Sequence, residues 1–309
     1  MKPLAITLGD PSGIGAEVVL KAIAGLRVPV RLFGCRRYAE RAGHLPPNID
    51  FYDLAPGAPE LRFGEIAPEY GRIALDSIDA AVTAIERGEC SAIVTAPIHK
   101  QSIAMAGAEF PGHTELLAAR AGLTRYGYEY AMYFDSPTIR TVLLSVHVPL
   151  AQAIASIDPD MIAALALLMT SAYRKLYGKS PRLAIAGVNP HAGESGRFGH
   201  EEQTIALGID KARRNGIDAH GPAPADTVFL AARNGKYDVV MAMYHDQGLI
   251  AVKTLEFERS VNVTIGLPYL RASVDHGTGF DIAGRGMADE RPMRYAIEWA
   301  ARNAEKWTS

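Results

Sequence analysis

Residues 4–26 read LAITLGDPSGIGAEVVLKAIAGL. LAITL (4–8) is a short unbroken apolar run, of the length of a strand covered on both faces. AEVVLKAIAGL (16–26) places its apolar residues at helical spacing, so a helix is expected there. GDPSGIG, between the two, supplies a tight polar turn. The order strand, turn, helix recurs along the chain. Further strands are expected at VRLFG (30–34), SAIVTAP (91–97), TIRTVLLSV (138–146), RLAIAG (182–187), YDVVMAMY (237–244) and VNVTIGL (261–267). Helical spacing appears over 77–87, over 160–177 and near 293–306, and Asp158 followed by Pro159 marks the start of the second of these. Strands alternating with helices define an α/β fold with a mostly parallel sheet. No repeat, low-complexity tract or evident linker interrupts the pattern.

A chain of 309 residues that is 48% hydrophobic can bury a sizeable core, and its length predicts about two domains. The formal net charge of -2 lacks the basic footprint of a nucleic-acid binder. No apolar run approaches the roughly 20 residues that cross a bilayer, so no membrane partner is expected. The opening MKPLAITLGDPSGIG turns polar and glycine-rich too early for a signal peptide. Cys35 and Cys90 read as reduced thiols. These features predict a cytoplasmic globular protein.

Polar residues follow the strands. LGDPSGIG (8–15), TAPIHK (95–100), SVHVP (145–149), GVNPHAGES (187–195) and MYHDQG (243–248) each begin where an apolar run ends. Any strand must end in a polar loop, but these loops carry histidine and aspartate repeatedly. In open α/β sheets ligands bind at the carboxyl ends of the strands. Of nine histidines, His44, His200 and His220 lie in polar stretches and suggest no role, and His99 fits a structural loop position. His147, His191 and His245 share one context, directly beyond a buried strand. Singly, each fits a hydrogen-bonded loop residue, and no local spacing links them. Together, three neutral imidazoles could hold a divalent metal as a Lewis acid.

GDPSGIG lacks the GxGxxG pattern, so a Rossmann cofactor site is not supported. It is either a tight turn into a helix or an anion contact at that helix's N-terminus. SVDHGTGFDIAGRGMADERP (273–292) is the more informative glycine-rich segment, because it lets backbone approach a ligand closely. Asp281 within it could accept hydrogen bonds from ribose hydroxyls, which favours NAD over NADP, since a carboxylate repels a 2′-phosphate.

GDPSGIGAE, VTAPIHK, GHTE, NPHAGE, ADT, YHDQGL, VNVTIGLP and SVDHGTGFDIAGRG occur in this order between Leu8 and about Gly286. This series resembles the 4-hydroxythreonine-4-phosphate dehydrogenase family of vitamin B6 synthesis. GDPSGIGAE and HGTGFDIAG also resemble loops of isopropylmalate and isocitrate dehydrogenases. The resemblance implies an α/β fold of two α/β/α domains with a cleft between them, and a homodimer with its active site at the subunit interface. The expected division is a cofactor-side domain of residues 1–110 and 268–309, and a substrate, metal and dimerisation domain of residues 111–267.

Carried over residue by residue, the family implies His147, His191 and His245 as metal ligands; family sites are built from both subunits, so these three need not belong to one chain's cleft. Zinc is the expected metal, with cobalt or magnesium as alternatives. His113, Thr114, Lys253, Asn262 and Arg271 would bind a small anionic substrate. Asp226 and Asp246 would accept or relay the alcohol proton, although Asp226 also stands where a helix could be capped. Asp275, Gly277, Thr278 and Asp281 would meet NAD. Ala272 departs from the family, which commonly has threonine there.

The implied reaction is NAD-linked oxidation of a secondary alcohol β to a carboxylate, then decarboxylation. The expected substrate is 4-phosphohydroxy-L-threonine, which would yield 3-amino-2-oxopropyl phosphate. Paralogues act on a terephthalate cis-dihydrodiol or on sugar-acid phosphates, so the motifs fix the chemistry more firmly than the substrate. A metal-dependent hydrolase could use the same histidines, but it would leave 273–292 without a task.

Overall fold

The opening stretch folds as strand, turn and helix: β1 is Leu4–Thr7 and α1 is Gly15–Ile23. A computed structural model describes residues 2–110 and 112–308. The chain forms two compact units. The first runs to Arg120 and resumes from Pro268 to Thr308; the second is Ala121–Leu267.

In the first unit β1 and α1 are followed by β2 (Val30–Gly34), α2 (Arg36–Ala42), β3 (Asp50–Asp53), α3 (Pro68–Glu86), β4 (Ile93–Thr95), α4 (Lys100–Met105) and α5 (His113–Arg120). The second unit contains β5 (Ala131–Asp135), β6 (Thr141–Leu143), α6 (Leu150–Ala155), α7 (Pro159–Tyr177), β7 (Leu183–Ala186), α8 (Glu201–Arg214), β8 (Ala219–Ala223), α9 (Ala225–Arg233), β9 (Val239–Ala242), α10 (His245–Glu256) and β10 (Val261–Ile265). The chain then returns to the first unit as β11 (Arg271–Ser273) and α11 (Arg291–Thr308).

Strand order in the first unit is β3-β2-β1-β4-β11, parallel throughout, with Ile6 beside Leu32 and Val94, and Ser273 beside Thr95. Leu4, Ala5, Ile6, Ile93 and Val94 are fully buried, which explains their unbroken apolar runs. In the second unit the order is β10-β5-β6-β9-β7-β8. Here β5 pairs antiparallel with both β10 and β6, while β6, β9, β7 and β8 are parallel. The mostly parallel sheet expected from sequence therefore has two antiparallel pairings, both made by β5.

The helix expected over 77–87 begins nine residues earlier, at Pro68, where proline's fixed φ suits a first helical turn. Gly71 interrupts its apolar stripe and hides that first part. It lies so close to α4 that an added Cβ would stand 2.0 Å from the Ser102 carbonyl oxygen and 2.8 Å from the Ile103 nitrogen. Gly71→Ala should cost about 3 kcal/mol, because only backbone could yield. Thermal denaturation should show Tm several degrees lower; an unchanged Tm would contradict this approach. At α7 the expected cap is present: Asp158 accepts from the Met161 amide at 3.0 Å, with Pro159 in the first turn.

Candidate functional site

In the second unit the reactive loops leave neighbouring parallel strands. Beyond β6 the chain stays beside β9: the Leu144 amide donates to the Ala242 carbonyl at 2.8 Å, and Ser145 Oγ to the Met243 carbonyl at 2.9 Å. That alignment carries His147 and His245 past the sheet edge together, with ring centroids 5.9 Å apart. His245 Nδ1 lies 2.7 Å from Asp246 Oδ1. An ionised carboxylate only accepts, so Nδ1–H donates and Nε2 keeps its lone pair, the tautomer a metal ligand needs.

His147, His245 and Asp246 line a hollow of about 280 Å³ with Val146, Val148, Leu150, Ala153 and Tyr244. His245 and Asp246 also border a second hollow with Leu249, Ile250, Lys253 and Thr254. Lys253 thus lies two helical turns along α10 from His245, on the same face. Asp226 is exposed in the first turn of α9, and the cap position belongs to Pro224. Asn262, on β10, holds a buried Oδ1 with no hydrogen-bond partner among the described residues.

The third histidine is presented differently. His191 to Ser195 all have left-handed backbone angles, His191 at φ 54 and ψ 31, and of these five residues only Gly193 is glycine. Left-handed conformation costs roughly 1–2 kcal/mol per non-glycine residue, so the turn stores on the order of 4–8 kcal/mol. Glu202 offsets it from α8. Its Oε1 accepts from the amides of Val188 (2.9 Å) and Asn189 (2.7 Å), and its Oε2 accepts from Asn189 Nδ2 (2.9 Å). Hydrogen bonds to a charged group contribute about 1.5–3 kcal/mol each, a comparable total. They also hold the Glu202 carboxyl below its usual range against the opposing effect of burial, which is the largest single influence. Among the described residues no group of three or more histidine, cysteine, aspartate or glutamate side chains is placed to hold a metal, so His191 does not complete a triad with His147 and His245 inside one chain. The donor chemistry of that pair fits a divalent metal, with a further ligand from outside the pair.

In the first unit, Arg271 on β11 is 2% exposed and donates through Nη2 to Thr95 Oγ1 at 2.9 Å. Burial lowers its pKa to about 10, which leaves it charged at neutral pH. On α5, Thr114 is buried, and His113 has a buried Nε2 with no hydrogen-bond partner among the described residues. Burial first, and then the Arg271 charge, push the His113 pKa well below 6.5, so the ring is neutral at pH 7. The unfolded chain takes up this proton near pH 6.5 while the folded chain resists it. The stability contribution is therefore full above pH 6.5 and is lost as pH falls below it, by up to about 1.4 kcal/mol per pH unit. His113→Gln should flatten that part of a denaturation-versus-pH curve; an unchanged slope would contradict the assignment.

The glycine-rich segment after β11 is tied to the GDPSGIG turn. The Ile14 amide donates to the Thr278 carbonyl at 2.9 Å. A Cβ at Gly13 would stand 2.7 Å from that same oxygen. Phe280 stacks on His99 at 4.6 Å, and Glu17 Oε1 accepts from the Ala288 amide at 2.8 Å. Lys21 Nζ donates to the Gly286 and Ala288 carbonyls, both at 2.9 Å. Ser12 donates through N and Oγ to Asp10 Oδ1, both at 2.9 Å, and the Gly13 amide donates to the Asp10 carbonyl. The Ser12, Gly13 and Ile14 amides meet protein oxygens, so this part of GDPSGIG is a tight turn that supports the neighbouring loop. Asp281 and Gly277 face solvent, while Asp275 and Thr278 are half-buried.

Sequence reasoning missed the supporting residues. Gln247 accepts from the Met243 amide at 2.7 Å and donates to the Gly187 carbonyl at 2.8 Å, joining the His245 and His191 loops. It sits inside YHDQG, two residues after His245. Glu202 bonds to groups more than ten residues away and carries no local pattern; Glu17 and Lys21 pair at i,i+4 on α1, but that spacing does not show their bonds to residues 286 and 288.

The profile of the family "Pyridoxal phosphate biosynthetic protein PdxA" matches residues 8–300. A 4-hydroxythreonine-4-phosphate dehydrogenase of Beijerinckia indica is 44% identical, over 97% of this chain and 94% of that protein. A D-threonate 4-phosphate dehydrogenase of Salmonella typhimurium is 39% identical, over 97% and 98%. The crystal structure of 4-hydroxythreonine-4-phosphate dehydrogenase from Klebsiella pneumoniae superposes with a TM-score of 0.87 at 36% identity, covering 98% of this chain and 100% of that one. The chain belongs to the PdxA family of pyridoxal phosphate biosynthetic proteins and is an oxidoreductase, a dehydrogenase.

Proposed function

We propose that the chain oxidises the secondary alcohol of 4-phosphohydroxy-L-threonine with NAD, and that the resulting β-keto acid loses carbon dioxide to give 3-amino-2-oxopropyl phosphate. The observation that carries this reading is the His147–His245 pair, with Asp246 fixing the His245 tautomer, in a chain of this family. His147, His191 and His245 would hold a divalent metal, zinc being best suited to imidazole donors, with cobalt or magnesium as alternatives. The chemistry that metal supplies is Lewis acidity toward the oxygens of the reacting carbon. NAD supplies the hydride acceptor.

The chain's own residues do the rest. Arg271 offers a buried cation to an anionic group of the substrate, and Thr114 and the neutral His113 offer hydrogen bonds beside it. Lys253 supplies a second cation, and the Asn262 Oδ1 suits a donor such as the substrate ammonium. Asp246 orients His245, and Asp226 or Asp246 takes the alcohol proton. The loop of Asp275, Gly277, Thr278 and Asp281 would receive NAD, Asp281 meeting the adenosine ribose.

Val148, Leu150 and Ile250 are 40%, 54% and 66% exposed beside the histidine hollows, an apolar rim that a second copy of the chain would cover. A homodimer would then bring His191 of one chain to the His147–His245 pair of the other. Cys35 and Cys90 are free and buried, which suits a cytoplasmic protein, and no helix among the described residues is long and apolar enough to cross a membrane. The test is NADH formation at 340 nm with 4-phosphohydroxy-L-threonine, D-threonate 4-phosphate and a terephthalate cis-dihydrodiol offered separately. Preference for the first supports the reading; preference for either other would transfer the same chemistry to that substrate.

A further inference from the structure

The left-handed run His191–Ser195 has local backbone bonds, such as that from the Ala192 amide to the Asn189 carbonyl, but Gly193 alone in it is free of a Cβ. The group that meets it comes from α8. Glu202 is 7% exposed and meets the chain just before the run and at its middle. At the entry it accepts the consecutive amides of Val188 and Asn189 and the Asn189 side chain. At the middle, a Cβ on Gly193 would stand 2.7 Å from Glu202 Oε2. Two adjacent amides aimed at one oxygen fix the orientation of the 187–188 and 188–189 peptides. Two residues later the backbone enters the left-handed region at His191 itself, so the direction of the His191 side chain is set there. Glu201 reinforces the entry, accepting from Asn189 Nδ2 at 2.6 Å.

The rest of α8 is anchored independently. Ile205 and Ile209 are buried, and Gly208 abuts Ile162 of α7, where an added Cβ would stand 2.8 Å from its side chain. Removing the Glu202 carboxylate should therefore loosen the turn and leave the helix docked.

We propose that Glu202 is a positioning residue that holds His191 in the orientation required of a metal ligand; this rests on the reading of His191 as a ligand. It acts through the backbone of residues 188–193 and touches neither substrate nor metal. Supporting residues of this kind change metal affinity by about 10–100-fold when removed.

The test titrates cobalt(II) into the full-length protein, following its visible absorption, for Glu202→Ala, Glu202→Asp, Glu202→Gln and His191→Ala. Folding is checked by circular dichroism, and the Val188 and Asn189 amides by hydrogen exchange. Glu202→Ala should weaken cobalt binding about 10–100-fold and speed exchange at both amides. Glu202→Gln keeps an oxygen for those amides and gives up only the bond from Asn189 Nδ2, which Glu201 still holds, so binding should fall by less than about fivefold. Glu202→Asp, too short to reach, should resemble Glu202→Ala. If Glu202→Ala does not fold, the contrast between Asp and Gln decides, and equal affinities for those two would overturn the proposal. Wild-type affinity in Glu202→Ala, with binding weakened in His191→Ala, would overturn it and leave the metal reading intact. Wild-type affinity in His191→Ala would overturn both.

Discussion

His245→Ala lowers NADH formation by about three orders of magnitude or more, while NAD affinity changes by less than about threefold. The asymmetry follows from where His245 stands. Its ring is paired with His147 in the second unit, whereas the proposed cofactor loop follows β11 in the first. Loss of a ligand removes several kcal/mol of Lewis-acid stabilisation, and each 1.4 kcal/mol is about tenfold in rate. With Asp226 as the proton acceptor, Asp246→Asn should cost less, about 10–100-fold, because the ring remains and only its tautomer and direction are released; with Asp246 as the acceptor the loss should reach about 10²–10⁴-fold. Steady-state rates with added zinc, together with NADH binding by fluorescence, check both. Wild-type turnover by His245→Ala in metal-free buffer would remove the metal from the account.

Arg271→Met should reduce kcat/KM for the phosphorylated substrate by about two to three orders of magnitude, mainly through KM. Removing a buried charge that pairs with an anion costs about 2–5 kcal/mol. Lysine should not restore activity, since it cannot present the planar donor fork of arginine to Thr95 and an anion together. A second readout is independent of turnover. The Arg271 charge helps to depress the His113 pKa, so in Arg271→Met the His113 ring should titrate closer to 6.5 by NMR. An unchanged KM would remove Arg271 from the substrate site.

Much of this arrangement can be read from the sequence, for identifiable reasons. LAIT, LAIA and VVMA are buried on both faces, and burial on both faces writes an unbroken apolar run. The loops of His147 and His245 are legible as strand ends, and they meet because β6 and β9 are neighbours. β11 is hidden: it has three residues, and its first is an arginine, a type that reads as exposed and is here buried. β8 contains Gly221-Pro222, which reads as a turn. The antiparallel pairings of β5 depend on contacts far along the chain, as do the bonds from Lys21 to residues 286 and 288. The left-handed turn at His191 is equally silent, because what maintains it is a glutamate more than ten residues downstream whose partners are backbone amides.

The most direct measurement is NADH formation at 340 nm from 4-phosphohydroxy-L-threonine and NAD, with the protein first stripped by chelator and then resupplied with zinc. Turnover should be lost on stripping and recover on resupply, and should not recover in His245→Ala. Full turnover by the stripped protein, or release of phosphate without NADH, would contradict metal-dependent dehydrogenation.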